Sequence, residues 1–512
     1  METINRLYAS FNNARRFYGL IAAITLGQFI IRGLLYPAES NDGAEQLLFS
    51  QVFFLGYDVI NPPLYTWLMI VLQNLFGVKN VTVSLIKFLA YGLSFHFLYV
   101  LACRTVKDRH LAALAALSPL WLYYMAWDAV LSYTHTVLAT LLVLASLVAF
   151  LRLRDNGDWL SYLVFGLVLG LGFISKYTFA IAALAIFVSG LVCQPYRAIL
   201  LQPLMLFALA VAALIVAPHI YWLIENSEQI SGAIASKFEV RAIEGGFLAN
   251  HLAGLNSAAS SLIGFSSPLW LILIIVFWSP FRKRFTQVAT LSPPAKLLIT
   301  YTFVLITLIF AFVAIFGVTK VRPHYMFVLL PFPVAFFAWL KPSLDQSHSP
   351  QIYGLTLISM VLLLVGGMAV KYLTEPTRCN RCQLLMPYGD IAKKIRAAGF
   401  RNGTIFATYF PHDLAGNFRS TFPDTRIVSI KFPAITRSLG AKGGQCLIIW
   451  MPAPRGNVDT GTMVNRTNQY FKSDIPFQNA PLKVIKFQLD RAPKRSGELH
   501  YMLFDPGVGQ CR

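Results

Sequence analysis

Apolar blocks of bilayer length recur from residue 17 to residue 373, and no other feature constrains this chain as strongly. They fall near 17–36, 84–102, 110–127, 129–151, 159–175, 177–193, 200–224, 260–280, 296–317, 324–340 and 352–373. A helix needs roughly 20 apolar residues to cross a hydrocarbon core, and most of these blocks come close. Only 13% of the 512 residues are charged, against about a quarter in soluble chains. The expected fold is a polytopic α-helical membrane protein with about 11 transmembrane helices. The block 17–36 has the look of a signal peptide, yet it lacks an A-x-A-like cleavage site and many spans follow, so it reads as a retained helix.

Lys and Arg set the orientation. One set of loops holds Arg15 and Arg16, Arg104, Lys107 and Arg109, Arg152 and Arg154, Arg197, Arg282 to Arg284, and Lys341; the alternate loop 37–82 holds only Lys79. The basic set belongs in the cytoplasm with the amino terminus. An odd number of spans then puts the tail outside, along with the Asp42 loop, Asp128, Lys176, the loop 225–259, Lys320 and Arg322. Most of the unusual polar residues thus gather on the extracytoplasmic face, which is the expected working side.

Two domains are expected: residues 1–373 in the membrane, with outer loops 37–83 and 225–259, and a soluble α/β domain over 374–512. In the tail, 388–400 has helical spacing and stops at Gly399, while 403–407, 446–450 and 499–504 read as strands. The formal net charge is +20, and the tail carries 20 basic against 9 acidic residues. Such an excess suits solubility and anionic lipid, or a partner rich in phosphate or carboxylate such as lipopolysaccharide. No recognition motif points to nucleic acid. Four of the six cysteines, Cys379, Cys382, Cys446 and Cys511, lie in the tail. Outside the cytoplasm a structural disulfide suits them, with Cys379-x-x-Cys382 also open to redox or metal roles.

The chemistry-bearing residues concentrate in the first outer loop. Asp42 and Glu45 share a face if that loop opens with a helix, and the apolar run 47–55 suggests a helix lying in the membrane interface. Desolvation there would raise a carboxylate's pKa and make it a better base; the competing reading is a pair of solvated carboxylates. Tyr57, Asp58 and Asn61 follow, and Asn61-Pro62-Pro63 is a rigid corner leading to a helix from Leu64. It serves as a plain turn or as a brace against substrate. Asp128, under Trp121, Tyr123, Tyr124 and Trp127, is either a functional intramembrane acid or the N-cap of a span starting at Ala129. His135 would lie two turns further along the same face. Lys176, beside Tyr177, and the cluster Lys320, Arg322 and His324 offer compact donors for a phosphate, or snorkel to headgroups. Lys87 lies one turn into the second span. Walker, HExxH, G-x-S-x-G and dinucleotide fingerprints are absent, which disfavours nucleotide-driven chemistry. An activated donor carried in the membrane, or an ion gradient, must supply the energy.

Asp42-x-Ala44, Ser50-Gln51, Gly56-Tyr57 and Pro62-Pro63-Leu64-x-x-Trp67 together resemble the first outer loop of protein mannosyltransferase-like membrane glycosyltransferases of C-type fold, which include the bacterial lipid A aminoarabinose transferases. Ile174 to Thr178 and Arg322-Pro323-His324 resemble later segments of that family, and the tail is similar to that of rhizobial-type lipopolysaccharide galacturonosyltransferases. The resemblance implies transfer of one sugar from a polyprenyl-phosphate carrier to an acceptor at the periplasmic face of a bacterial inner membrane, most naturally lipid A or lipopolysaccharide core. Asp42 falls on the catalytic acid, Asp128 on the second acidic position, and Lys176 with Lys320 and Arg322 on the donor phosphate, with Tyr57, Asp58, Asn61, Tyr177 and His324 around the substrate. No cofactor is implied, and a divalent metal is left open. Two departures stand out. Many relatives carry Glu directly after the Asp, where this chain has Gly43 with Glu45 nearby. The aminoarabinose transferases carry Lys before the prolines, where this chain has Asn61, so a different sugar fits. The alternatives are protein O-glycosylation and, in another class, a transporter or flippase of a lipid-linked sugar, which would place acids in broken helices at mid-membrane.

Overall fold

The structure, a computed structural model, describes residues 13–228, 246–287, 290–344, 347–379, 382–407, 411–429, 431–432, 443–452 and 481–505, with isolated positions between. The chain forms two compact units. One comprises Met1–Gly27, Leu55–Leu64 and Lys87–Gly366; the other comprises Gln28–Phe54, Tyr65–Ile86 and Gly367–Arg512. Much of the first outer loop therefore folds with the tail, which departs from a single cut at 373/374.

Six helices among the described residues are long and apolar enough to cross a membrane: Ala14–Leu35, Asn80–Val106, His135–Asn156, Pro203–Glu225, Pro293–Phe316 and Ser349–Arg378. Four bent pairs add Arg109–Trp121 with Tyr124–Leu131, Phe179–Val192 with Gln194–Leu200, Leu248–Ser266 with Leu269–Val276, and Pro323–Leu329 with Phe332–Ser343; Trp159–Phe173 is a shorter apolar helix. Each expected span has a helix or a bent pair in its place, and the chain is a multi-pass membrane protein. Local chemistry sets several ends. Asp108 and Asp158 cap helices by accepting the Leu111 and Ser161 amides, each at 2.9 Å, and Gly317 ends Pro293–Phe316 at φ +61°, in the left-handed region open to glycine.

The expected span 129–151 is corrected. A π-helical turn over Tyr124–Asp128 and a three-residue helix, Ala129–Leu131, come first, and the long helix begins at His135 with Thr134 at its N-cap. Asp128 makes no side-chain cap, so the capping reading of this residue fails. The break also removes the continuous two-turn spacing expected between Asp128 and His135. A helix, Gly246–Ser266, occupies part of the expected loop 225–259, and residues 229–245 of that loop lie outside the described residues.

In the second unit, five strands form one sheet: β1 (Gly403–Ala407), β2 (Arg426–Ser429), β3 (Gln445–Trp450), β4 (Lys483–Leu489) and β5 (Ala492–Phe504), in the order β2-β1-β3-β5-β4. β1 pairs in parallel with β2 and β3, while β5 runs antiparallel to β3 and β4. β1 and β2 are buried throughout, as suits strands covered on both faces. β4 alternates exposed Lys483, Lys486 and Gln488 with buried Ile485, Phe487 and Leu489, and its lysines blunt an open edge. The helix Pro411–Thr421 crosses from β1 to β2 and buries Leu414, Ala415, Asn417 and Phe418. The expected helix runs Tyr388–Ala397, and Gly399 stands at φ +106° where a stop was expected. Cys379 and Cys382 form a disulfide, Cys446 is also disulfide-bonded, and Cys511 lies outside the described residues.

Candidate active site

The first outer loop does open with a helix, Asn41–Phe49, called the loop helix below. It buries Gly43, Ala44 and Gln46 through Phe49 and leaves Asn41 and Asp42 exposed. The protein itself leaves the Asp42 side chain uncovered. Glu45 is half-buried, with Lys431 Nζ 3.8 Å away. Asp42 and Glu45 belong to the second unit, and all other candidates belong to the first.

The floor beneath Asp42 is a buried ion pair. Glu39 Oε2 lies 2.9 Å from Arg32 Nη2, which also donates to the Ala38 carbonyl at 2.8 Å. A Cβ on residue 43 would meet that same Oε2 at 2.5 Å, so glycine follows Asp42 because the Glu39 carboxylate fills the space. Burial first, then the charges of Glu39 and Asp42, hold the Tyr65 phenol well above its ordinary range. The phenol donates to the Val83 carbonyl at 2.8 Å. Thr66 Oγ1 donates to Gln46 Oε1 at 2.6 Å, tying the loop helix to Leu64–Phe76.

In the first unit, Tyr57 is buried, and Asp58 and Asn61 pair as an isolated antiparallel bridge, with Asp58 Oδ1 accepting the Ile60 amide at 3.1 Å. The proline corner ends where the Leu64 amide donates to the Ile174 carbonyl at 3.0 Å. That bond joins the corner to the Lys176 segment. Lys176 is 8% exposed. Its ammonium donates to Thr136 Oγ1 at 2.6 Å and lies 5.8 Å from the Tyr325 ring centre and 6.0 Å from that of Phe327. Aromatic faces attract a cation through the ring quadrupole.

Tyr177 donates to His219 Nε2 at 2.9 Å, and His219 Nδ1 lies 2.9 Å from the Leu55 carbonyl. A carbonyl only accepts, so Nδ1 carries the proton and Nε2 receives the phenol hydrogen. His324 Nδ1 meets the Tyr133 hydroxyl at 3.2 Å, and the Tyr133 amide reaches the Asp128 carbonyl at 3.4 Å. Lys320 and Arg322 are exposed. Between them, Val321 is pinned by Ser257 Oγ, which accepts its amide at 2.9 Å, and by Ser261 Oγ, which donates to its carbonyl at 2.6 Å. Lys320 and Tyr325 line an apolar crevice with Ile181, Phe312, Val313 and Val318. This unit therefore brings Asn61, Asp58, Lys176, Tyr177, His324 and the Asp128 backbone into one connected set. Lys87 is 3% exposed and lies 5.4 Å from the Phe88 ring centre. The sequence did not single out His219; a histidine inside an apolar span was the available signal. Among the described residues no group of three His, Cys, Asp or Glu side chains could hold a metal ion.

The chain is similar to known proteins over most of its length. Residues 60–222 match the dolichyl-phosphate-mannose-protein mannosyltransferase family, a stretch that includes Asn61, Asp128, Lys176 and Tyr177. The chain is 28% identical over 447 residues to the lipopolysaccharide core galacturonosyltransferase RgtA of Rhizobium johnstonii, covering 84% of this chain and 85% of that one. With RgtB of the same organism it shares 25% identity, covering 86% and 87%. The crystal structure of ArnT from Cupriavidus metallidurans bound to undecaprenyl phosphate superposes with a TM-score of 0.59 at 14% identity, over 96% of this chain and 98% of that one. The chain is a membrane glycosyltransferase of C-type fold. Bent helix pairs alone would suit a transporter as well; similarity to sugar transferases across most of the chain makes this glycosyltransferase an enzyme. The earlier resemblance to the mannosyltransferase-like and galacturonosyltransferase groups is borne out.

Proposed function

We propose that this glycosyltransferase transfers a single sugar from a polyprenyl-phosphate donor to a lipopolysaccharide or lipid A acceptor at the periplasmic face of a bacterial inner membrane. The observation that carries the proposal is similarity to two lipopolysaccharide core galacturonosyltransferases over more than four-fifths of each chain. Galacturonic acid, the sugar in both relatives' names, is the first to test. Asn61, in place of a Lys before the prolines, is consistent with a donor other than aminoarabinose. The Lys and Arg excess in one set of loops supports the orientation, and the surplus of 20 basic over 9 acidic residues in the tail supports an anionic acceptor.

In the proposed reaction, the bond from the anomeric carbon to the carrier phosphate breaks and its electron pair leaves with the phosphate. Lys176, with Lys320 and Arg322, stabilises that charge as it develops. The acceptor oxygen bonds to the anomeric carbon and its proton passes to Asp42, whose exposure suits it as the group that meets an incoming acceptor. An acceptor phosphate would need no base and would leave Asp42 to orient it. Asp128, Tyr57, Asp58, Tyr177 and His324 are assigned to substrate placement and Glu45 to support of Asp42. The apolar crevice beside Lys320 suits a polyprenyl chain.

The test pairs purified enzyme, undecaprenyl-phosphate galacturonic acid and lipopolysaccharide core with mass spectrometry of lipid A and core from a deletion strain. Loss of one uronic acid from the deletion strain and its transfer by the enzyme are expected; unchanged lipopolysaccharide would overturn the proposal. The family match at residues 60–222 favours protein O-glycosylation as the second reading, for which the deletion strain would instead lose sugar from envelope proteins.

A further inference from the structure

The loop helix has an unusual start. Its N-cap, Ser40, is extended at φ −83° and ψ 176° but contributes no side-chain hydrogen bond. An exposed acid in the first turn of such a helix would fray with it. The lead-in residue is instead gripped from far along the chain. The Glu39 amide donates to Asn417 Oδ1 at 2.8 Å, and Asn417 Nδ2 donates to the Glu39 carbonyl at 3.0 Å. Asn417 is 1% exposed and sits on the helix Pro411–Thr421 of the sheet domain. Its neighbour Gly416 lies so close to the loop helix that a Cβ there would fall 1.8 Å from the Ala44 carbonyl oxygen. The far end of the loop helix is held in the same manner with the roles reversed. Gln51 Nε2 donates to the Ile427 carbonyl at 3.1 Å, and the Ile427 amide donates to Gln51 Oε1 at 2.9 Å.

Two side-chain amides, one from each partner, thus fasten the loop helix to the C-terminal domain through its backbone. They differ in distance along the chain from the reactive acid: Asn417 acts three residues before Asp42, Gln51 nine residues after it. We propose that Asn417 is a positioning residue for catalysis, fixing the first turn of the loop helix and with it the Asp42 carboxylate, whereas Gln51 serves stability alone. This proposal rests on Asp42 being the acid that meets the acceptor. It makes the C-terminal domain part of the catalytic scaffold in addition to any role in acceptor recruitment.

The test compares full-length N417A, which loses the paired contact with Glu39, and Q51A, which loses the paired contact with Ile427 and the Gln51 Nε2 bond to the Leu48 carbonyl at 2.9 Å, in thermal midpoint and in transfer from undecaprenyl-phosphate galacturonic acid. Both thermal midpoints should fall. Only N417A should lose kcat, by roughly 30- to 100-fold, the scale expected when a reacting group moves by about an ångström, with KM for the donor within about twofold. N417D keeps the acceptor for the Glu39 amide and loses the donor, so its kcat should fall between wild type and N417A; it replaces N417A if that variant does not fold. Equal kcat losses in N417A and Q51A would overturn the proposal, since the clamp would then be merely structural. So would wild-type kcat in N417A or N417D. D42N run in parallel separates the premise: an active D42N refutes the role of Asp42, while an inactive D42N beside a fully active N417A refutes only the clamp.

Discussion

The loop helix with Asp42 and the segment with Lys176 place a reactive side chain in opposite ways. Asp42 is exposed, and polar contacts support its helix: the Arg32–Glu39 ion pair, the Asn417 amide, and Thr66 on Gln46. Lys176 is buried, and its contacts include the Thr136 hydroxyl and the rings of Tyr325 and Phe327. In the proposed role of Asp42, an exposed acid can meet the acceptor provided its backbone is rigid. In the proposed role of Lys176, low dielectric would strengthen its attraction to a donor phosphate.

The comparison breaks first at the acid. D42N should fold and lose transfer by about 10²- to 10⁴-fold, the usual weight of a general base; near-wild-type turnover by purified D42N would remove the catalytic assignment. Next, Lys176→Ala should lower kcat/KM by about 10²-fold through a higher KM for the lipid donor, and an unchanged donor KM would argue against phosphate binding. The floor under Asp42 should matter to stability. Arg32→Met strands the Glu39 carboxylate and should cost about 3–5 kcal/mol, whereas Arg32→Met with Glu39→Gln should recover most of it. Thermal midpoints of the two variants check this, and equal losses would mean the pair is not coupled. The smallest effect is expected at Lys431→Ala, since its 3.8 Å contact with Glu45 is half in solvent. It should cost less than about 1 kcal/mol, and a large loss of transfer would promote Glu45 from support to chemistry.

Much of this was legible in sequence for a simple reason: the apolar blocks are contiguous, and each marks a span without help from distant residues. The loop helix, the helix from Leu64 and three strands also carry their own periodicity. The start of the His135 helix was misplaced because apolar Ala129, Val130 and Leu131 read as the opening turn of the span, although the polar Ser132-Tyr133-Thr134 step then breaks it. β2 escaped because four residues give too short a pattern, and β4 because its lysines disguise the alternation. The larger loss was in what supports the site. Asn417 and Glu39 lie 378 positions apart, and His219 acquires meaning only through Tyr177 and the Leu55 carbonyl. Gly43 looked like a missing acid until the Glu39 carboxylate was found in the space a side chain would use.

That last feature ties two positions into a single choice. A side chain at residue 43 would have to displace a carboxylate anchored by Arg32, so Glu at 43 and Glu at 39 exclude one another on this backbone. Anyone grafting the Asp-Glu dipeptide of other family members onto this loop should shorten residue 39 in the same step. Natural sequences that gain the one acid should be found to have given up the other.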